Sequence, residues 1–305
     1  MDAIKKIPHP EAVAKRPSND AKTNMQQVIT LITGPGAENA LQDCVTALGA
    51  AADWLGPCAC DVSGVDEAAM HAAIGERPID AIDQPIEGRR KKLLVADLES
   101  TIIENEMLEE LADFLGMRAH VAEITRRAMN GEIDFIGALN ERVALLRGMP
   151  ETVLDEAAAR IRLMPGARAL IATLRRAGVK TALVSGGFTV FADRVAAALG
   201  FDHVVANRLD IADGKLAGTV QPPIVTGTTK RETLLSLAAE FGLSPVQTIA
   251  VGDGANDLPM LGTAGLGVAF HAKPAVASAA RWRINHADLT GLLYTQGYRE
   301  SEIAH

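Results

Sequence analysis

Four short stretches of this sequence carry residue types that can do chemistry together: Asp97-Leu98-Glu99-Ser100-Thr101, Ser185-Gly186-Gly187-Phe188, Lys230, and Gly252-Asp253-Gly254-Ala255-Asn256-Asp257. That chemistry is phosphoryl transfer. A carboxylate such as Asp97 can attack phosphorus and form an aspartyl-phosphate. Asp97 and Asp253 can hold a hard cation with waters. With neither histidine nor thiolate among them, the donors fit Mg²⁺ better than zinc. Lys230 offers a positive charge, and the Ser185 hydroxyl with the Gly186 backbone N–H offers donors for phosphate oxygens. Glycine lets the backbone come close to phosphate. Each stretch also has a plainer reading alone. A carboxylate after a strand often caps a helix, Ser-Gly-Gly and Gly-Asp-Gly are common turns, and a lone lysine is usually solvated. Their joint placement is what points to a site.

The elements that must position these residues are legible as apolar runs. Leu93-Leu94-Val95-Ala96, Thr181-Ala182-Leu183-Val184, Thr248-Ile249-Ala250-Val251 and Gly265-Leu266-Gly267-Val268 read as buried strands separated by helical stretches. That pattern predicts an α/β fold with a doubly wound parallel sheet covered on both faces. Ligands in such folds sit at the carboxyl ends of the strands, where the chemical stretches fall. From Met107 to about Arg162 the spacing is helical, with Leu108, Leu111, Phe114 and Leu115 on one face. A helical cap inserted after the first strand, about 107–162, would lie over that edge. The catalytic unit is expected over 93–305.

Ahead of it, residues 1–24 read as a mobile tail, 25–76 as a small α+β module and 77–92 as a linker. The module has an apolar run at Gln27–Ile32, helical text from about Ala37 to Ala52, an extended piece near Trp54–Val62 and a helix over Val65–Gly75. Pro78, Pro85, Gly88 and the basic run Arg89-Arg90-Lys91-Lys92 suggest the linker, the basic run reading as solvated.

In order and spacing the four stretches resemble the motifs of the haloacid-dehalogenase superfamily, and within it the phosphoserine phosphatase group. Glu104-Asn105-Glu106, Met129-Asn130-Gly131, Phe135 and Asn140-Glu141-Arg142-Val143 resemble that group's helical cap. The likeness runs from about Lys92 to Leu293. It implies Asp97 as nucleophile and metal ligand, and Glu99 as the acid/base residue whose backbone carbonyl also meets the metal. It implies Glu106 as partner of a substrate ammonium and Arg142 as partner of its carboxylate. Ser185, Gly186 and Lys230 then match phosphate contacts, Asp253 a metal ligand, Asn256 a substrate contact and Asp257 a support of the metal site. An amino acid ester carries one carboxylate and one ammonium, and each needs an opposite charge when desolvated. The plainer readings are a first-turn carboxylate for Glu106 and a surface charge for Arg142. Met129 and Phe135 read equally as substrate or core packing.

The implied activity is Mg²⁺-dependent hydrolysis of O-phosphoserine to serine and phosphate, the last step of serine biosynthesis. The sequence departs from the group's pattern at Glu99, where aspartate is usual. A related subgroup that moves phosphate from phosphoserine to homoserine also resembles this chain in carrying glutamate there, so a phosphotransferase is the alternative. A phosphoserine-sensing protein with weak catalysis is a third reading, against which Asp97, Lys230 and Asp253 count. The N-terminal module resembles ACT-like regulatory domains, which would bind an amino acid or form a homodimer; a structural appendage fits equally.

Composition narrows the classes that remain. The 305 residues suggest about two domains, and 48% hydrophobic with 22% charged residues is enough apolar matter for folded cores. The net charge of −8 disfavours nucleic acid and anionic membranes as partners. No apolar run is long enough to span a bilayer, and the first 24 residues lack the apolar core of a secretory signal. The three cysteines, Cys44, Cys58 and Cys60, are too few for a disulfide framework and read as buried thiols in a reducing cytoplasm.

Overall fold

The computed structural model describes residues 26–129 and 132–304. The tail expected over 1–24, the cap residues Asn130 and Gly131, and the Met129 side chain lie outside the described residues.

The N-terminal module begins with β1 (Gln27–Thr33), α1 (Glu38–Leu48), β2 (Ala52–Gly56), β3 (Ala59–Val62) and α2 (Glu67–Ile74). A further strand, β4 (Ile79–Pro85), lies where the sequence suggests a linker. Pro78 and Pro85 bracket this strand instead of marking a loop. Proline is tolerated there because β4 is an edge strand in the order β2-β3-β1-β4, antiparallel throughout. The two helices cover one sheet face through Leu31, Leu41, Cys44, Cys60 and Met70. The opposite face, with Ile32, Leu55, Ala59 and Ile82, joins the core of the catalytic unit.

That unit is built on β5 (Leu93–Ala96), followed by helices α3 (Met107–Asp113), α4 (Arg118–Met129), α5 (Phe135–Ala144) and α6 (Val153–Ala158). The chain continues as α7 (Ala167–Arg176), β6 (Lys180–Phe188), α8 (Thr189–Leu199), β7 (His203–Ala212), β8 (Lys215–Gln221) and α9 (Gly227–Glu240). It closes with β9 (Thr248–Gly252), α10 (Leu258–Leu261), β10 (Leu266–Phe270), α11 (Pro274–Ala279), β11 (Trp282–Ile284) and α12 (Gly291–Tyr294). The sheet order is β11-β10-β9-β5-β6-β7-β8. All neighbours are parallel except the β7–β8 pair.

The central strand shows why the sheet is covered twice. Leu94 and Ala96 pack into one apolar cluster with Leu170, Ile171 and Phe191 of α7 and α8. Leu93 and Val95 point the other way, into a cluster with Leu234, Leu237 and Met260 of α9 and α10. Each fully buried leucine contributes about 1.5–3 kcal/mol relative to exposure, so both faces hold β5 at the centre.

Helices α3 to α6 form the cap, and the two chain crossings beneath it are tied together. Glu104 N–H donates to the Arg162 carbonyl at 2.9 Å, and Met164 N–H to the Ile102 carbonyl at 2.9 Å. Asn105 Oδ1 accepts from Arg162 N–H at 2.8 Å while its Nδ2 donates to the buried Glu110 at 3.0 Å. Among the described residues, no helix is long and apolar enough to cross a membrane.

Candidate active site

The site forms where β5, β6 and β9 end. Asp97 follows β5 directly, its N–H donating to the Val251 carbonyl at 3.0 Å, so it continues the strand's register. Asp253 directly follows β9. Asp257 lies one short turn on; its Oδ2 accepts the Gly254 N–H at 3.0 Å. One carboxylate oxygen from each of Asp97, Asp253 and Asp257 lies within 4.8 Å of the others.

Lys230, from the first turns of α9, is fully buried beneath this cluster. Its ammonium donates to Asp97 Oδ1 at 2.6 Å and to Asp257 Oδ1 at 2.7 Å. Burial works against the charged amine, but the two carboxylates outweigh it and raise its pKa above the ordinary lysine value. Burial likewise pushes the Asp97 carboxyl up, while Lys230 pulls it back. The short Lys230 contact argues for an ionised Asp97.

Glu99 lies on the cap side. Its Oε1 accepts the Met107 N–H at 2.8 Å, at the start of α3. Burial, then the neighbouring Glu106 charge, pushes its carboxyl up to about 8. That shift favours the protonated acid. Gly187 makes room for it, since a Cβ there would lie 2.7 Å from Glu99 Oε2.

The β6 end presents a fixed peptide. The Gly186 carbonyl accepts from Asn207 Nδ2 at 2.7 Å, and the N–H of the same peptide, on Gly187, donates to Ser185 Oγ at 2.9 Å. Ser185 is buried and spends its hydroxyl oxygen on this bond. Asn207 also accepts the Val225 N–H at 2.8 Å, tying β6 to the segment entering α9.

From the cap come Glu106, Phe135, Leu139 and Arg142, which close over Asp97, Glu99, Gly186, Asp253 and Asn256 to leave a cavity of about 30 Å³. That is room for about two waters, less than an amino acid ester. Glu106 accepts from Ser100 Oγ at 2.7 Å. Ser100 holds that place from a positive φ of 54°, a strained backbone common at functional sites. Arg142 is 4% exposed; its Nε donates to the Ala138 carbonyl at 3.0 Å and one terminal nitrogen to Thr125 Oγ1 at 2.7 Å. Thr125 therefore aims the guanidinium. Asn256 Oδ1 is buried with no partner among the described residues, an amide left for a ligand.

The structure thus brings Asp97, Glu99, Glu106, Arg142, Gly186, Asp253 and Asn256 to one cavity. Lys230, Ser185 and Asp257 lie just behind it. Sequence reasoning missed Asn207, Thr125 and Lys273, whose Nζ donates to Asp253 Oδ2 at 3.1 Å. Lys273 sits three residues past β10, so the strand-end rule applied to the fourth apolar run would have found it. Asn207 and Thr125 act through other residues, and no local signal marks them.

The donors suit a hard cation. Asp97 and Asp253 each keep one oxygen not bonded to a lysine, whereas both oxygens of Asp257 already accept bonds. An oxygen-only set of this kind matches Mg²⁺.

Residues 94–262 match the family model described as haloacid dehalogenase-like hydrolase. The chain belongs to the haloacid dehalogenase-like hydrolase family. It is 49% identical over 199 residues to a phosphoserine phosphatase of Streptococcus thermophilus, covering 65% of this chain and 93% of that one. It is 45% identical over 221 residues to phosphoserine phosphatase SerB2 of Mycobacterium tuberculosis, covering 72% of this chain. The chain spans about half the length of that relative, 54%. Among solved structures, a phospho-aspartyl intermediate analogue of phosphoserine phosphatase superposes with a TM-score of 0.65 at 38% identity. That match covers 67% of this chain and 98% of the other. This hydrolase family membership accounts for the strand-end carboxylates and the inserted cap together.

Proposed function

We propose that this chain is a Mg²⁺-dependent phosphatase that hydrolyses O-phosphoserine to serine and phosphate through an aspartyl-phosphate on Asp97. The observation that carries this reading is one cavity lined by Glu106, Arg142 and Asp97, with Lys230 bonded to Asp97 from behind it. Glu106 and Arg142 would meet the ammonium and carboxylate of an amino acid, and Asp97 the phosphate.

In this reading the Asp97 carboxylate attacks phosphorus and the bond from phosphorus to the serine oxygen breaks. Glu99, whose raised pKa favours the protonated form, gives its proton to that leaving oxygen. Water then attacks the phosphorus of the acyl-phosphate, the ionised Glu99 takes the water's proton, and Asp97 is released with phosphate. Lys230 fixes the rotation of the Asp97 carboxylate through Oδ1. The Ser185 hydroxyl and the Gly186 N–H would donate to the phosphate oxygens, from a turn fixed by the bonds on the Gly186–Gly187 peptide. Asp97, Asp253 and the Glu99 backbone carbonyl would hold Mg²⁺, with Asp257 behind them. The ion, when bound, neutralises charge on the phosphate oxygens. A cap closed over bound substrate would exclude bulk water that competes for the intermediate.

Phosphate release from O-phosphoserine, with Mg²⁺ and with chelator, tests the reading. Release that survives the chelator contradicts the metal assignment, and no release with Mg²⁺ contradicts the activity. Glu99 supports the second reading, transfer to a hydroxy amino acid, because it departs from the usual aspartate. Adding homoserine and finding phosphohomoserine in place of free phosphate would favour transfer. A place in serine biosynthesis follows from the proposed product. Unpaired Cys44, Cys58 and Cys60 support a cytoplasmic location. A homodimer through the N-terminal module belongs to the same reading, and light scattering on the full chain tests it.

A further inference from the structure

Lys273 grips Asp253 at two points. Its backbone N–H donates to the Asp253 carbonyl at 3.3 Å and its ammonium donates to Asp253 Oδ2 at 3.1 Å. The side chain is 28% exposed, and its charge also acts on Glu106 and Asp97. The loop that carries it is held firmly. His271, with a positive φ of 44°, donates its N–H to the Ile284 carbonyl, and its ring Nε2 bonds the Ala287 carbonyl at 2.8 Å. Lys273 then caps α11, which starts at Pro274. A lysine on a mobile surface loop would wander; this one is fixed at both its backbone and its head.

We propose that Lys273 is a positioning residue of the cation site: it leaves Asp253 a single free carboxylate oxygen and thereby biases the site toward Mg²⁺ over Ca²⁺. The inference rests on the Mg²⁺-dependent reading above and adds a determinant of which ion is accepted. A carboxylate with one oxygen held by an ammonium can offer a cation only the other. Mg²⁺ takes single oxygens in a near-octahedral set at about 2.0–2.1 Å, whereas Ca²⁺ takes roughly 6–8 oxygens and accepts carboxylates by both oxygens at once. Lys230 restricts Asp97 in the same way through Oδ1, and Asp257 has both oxygens bonded. Lys230 cannot be changed without disturbing the nucleophile. Lys273 touches the ligand and not the nucleophile, so it isolates the effect.

The charge of Lys273 opposes every divalent cation alike, so the ratio of two affinities reads the geometry alone. Isothermal titration of the full chain with MgCl₂ and with CaCl₂, without substrate, measures that ratio in wild type, Lys273→Met and Lys273→Arg. Changing an outer partner of a ligand moves metal affinity by about 10- to 100-fold. The expected result is a Ca²⁺-to-Mg²⁺ affinity ratio that rises roughly tenfold or more in Lys273→Met and stays at the wild-type value in Lys273→Arg, which still donates to Oδ2. Should the methionine variant fail to fold, Lys273→Leu, which likewise has no donor for Oδ2, is expected to move the ratio in the same direction. An unchanged ratio in a folded neutral variant overturns the proposal, as does a wild type that binds neither ion. These titrations contain no phosphate ester, so an altered ratio in a chain inactive on phosphoserine would refute the phosphatase reading and leave this one standing.

Discussion

At the scale of single residues, the chemistry turns on how Glu99 is housed. Its carboxylate is held between the Met107 N–H of the cap and the bare backbone of Gly187. Burial raises its pKa to about 8, which favours the protonated acid that the leaving serine oxygen needs. Glu99→Gln keeps the size and loses the proton transfer. Turnover should fall about 10²–10⁴-fold while calorimetry shows Mg²⁺ and phosphoserine still bound; unchanged turnover would remove Glu99 from the acid/base role. Gly187→Ala tests the housing itself. The added methyl would meet Glu99 Oε2, and a displacement of ~1 Å can cost roughly 10²-fold in rate. The drop should therefore appear in kcat, with little change in thermal stability. Arg142 makes the matching test of binding. A charged hydrogen bond is worth about 1.5–3 kcal/mol, so Arg142→Ala should raise KM for phosphoserine roughly 10- to 100-fold.

At the scale of elements, the strands that place the nucleophile and the metal ligands are those most legible in the sequence. β5 and β9 are buried along their whole length, and a strand covered on both faces must be an unbroken apolar run. β4, β7, β8 and β11 escaped because each is short, at or near a sheet edge, or partly exposed, so polar residues interrupt the pattern. Asn207 shows what this costs a sequence reading. It lies in the half-exposed β7 as an unremarkable polar residue, yet it spans β6 and the approach to α9 with two bonds. Asn207→Ala frees the Gly186 carbonyl and should lower kcat on phosphoserine more than it lowers thermal stability. Equal loss of both would assign Asn207 to the fold alone.

At the scale of the whole molecule, the N-terminal module is docked, not tethered. Asp80 of β4 accepts N–H bonds from Asn285, His286 and Ala287 at 2.8, 2.9 and 3.1 Å, in the loop after β11. Gln84 bonds the Thr295 carbonyl, and Arg281 pairs with Asp83 at 3.0 Å. The acidic and amide residues between Pro78 and Pro85 are the contacts of an interface, which one sequence without its partner surface cannot reveal. Leaving a buried donor without its acceptor costs about 1–3 kcal/mol, so Asp80→Ala should lower the thermal midpoint of the full chain by several degrees. The net charge of −8 is compatible with an anionic substrate, because Lys230, Arg142 and Lys273 at the site would act there together with a bound Mg²⁺ and backbone N–H groups. The most direct test of the account compares kcat/KM for O-phosphoserine with esters lacking its ammonium, its carboxylate or both. The account predicts that each deletion costs roughly tenfold or more, and that the cost of losing the carboxylate disappears in Arg142→Ala. Equal rates across the esters in the wild-type chain would contradict it.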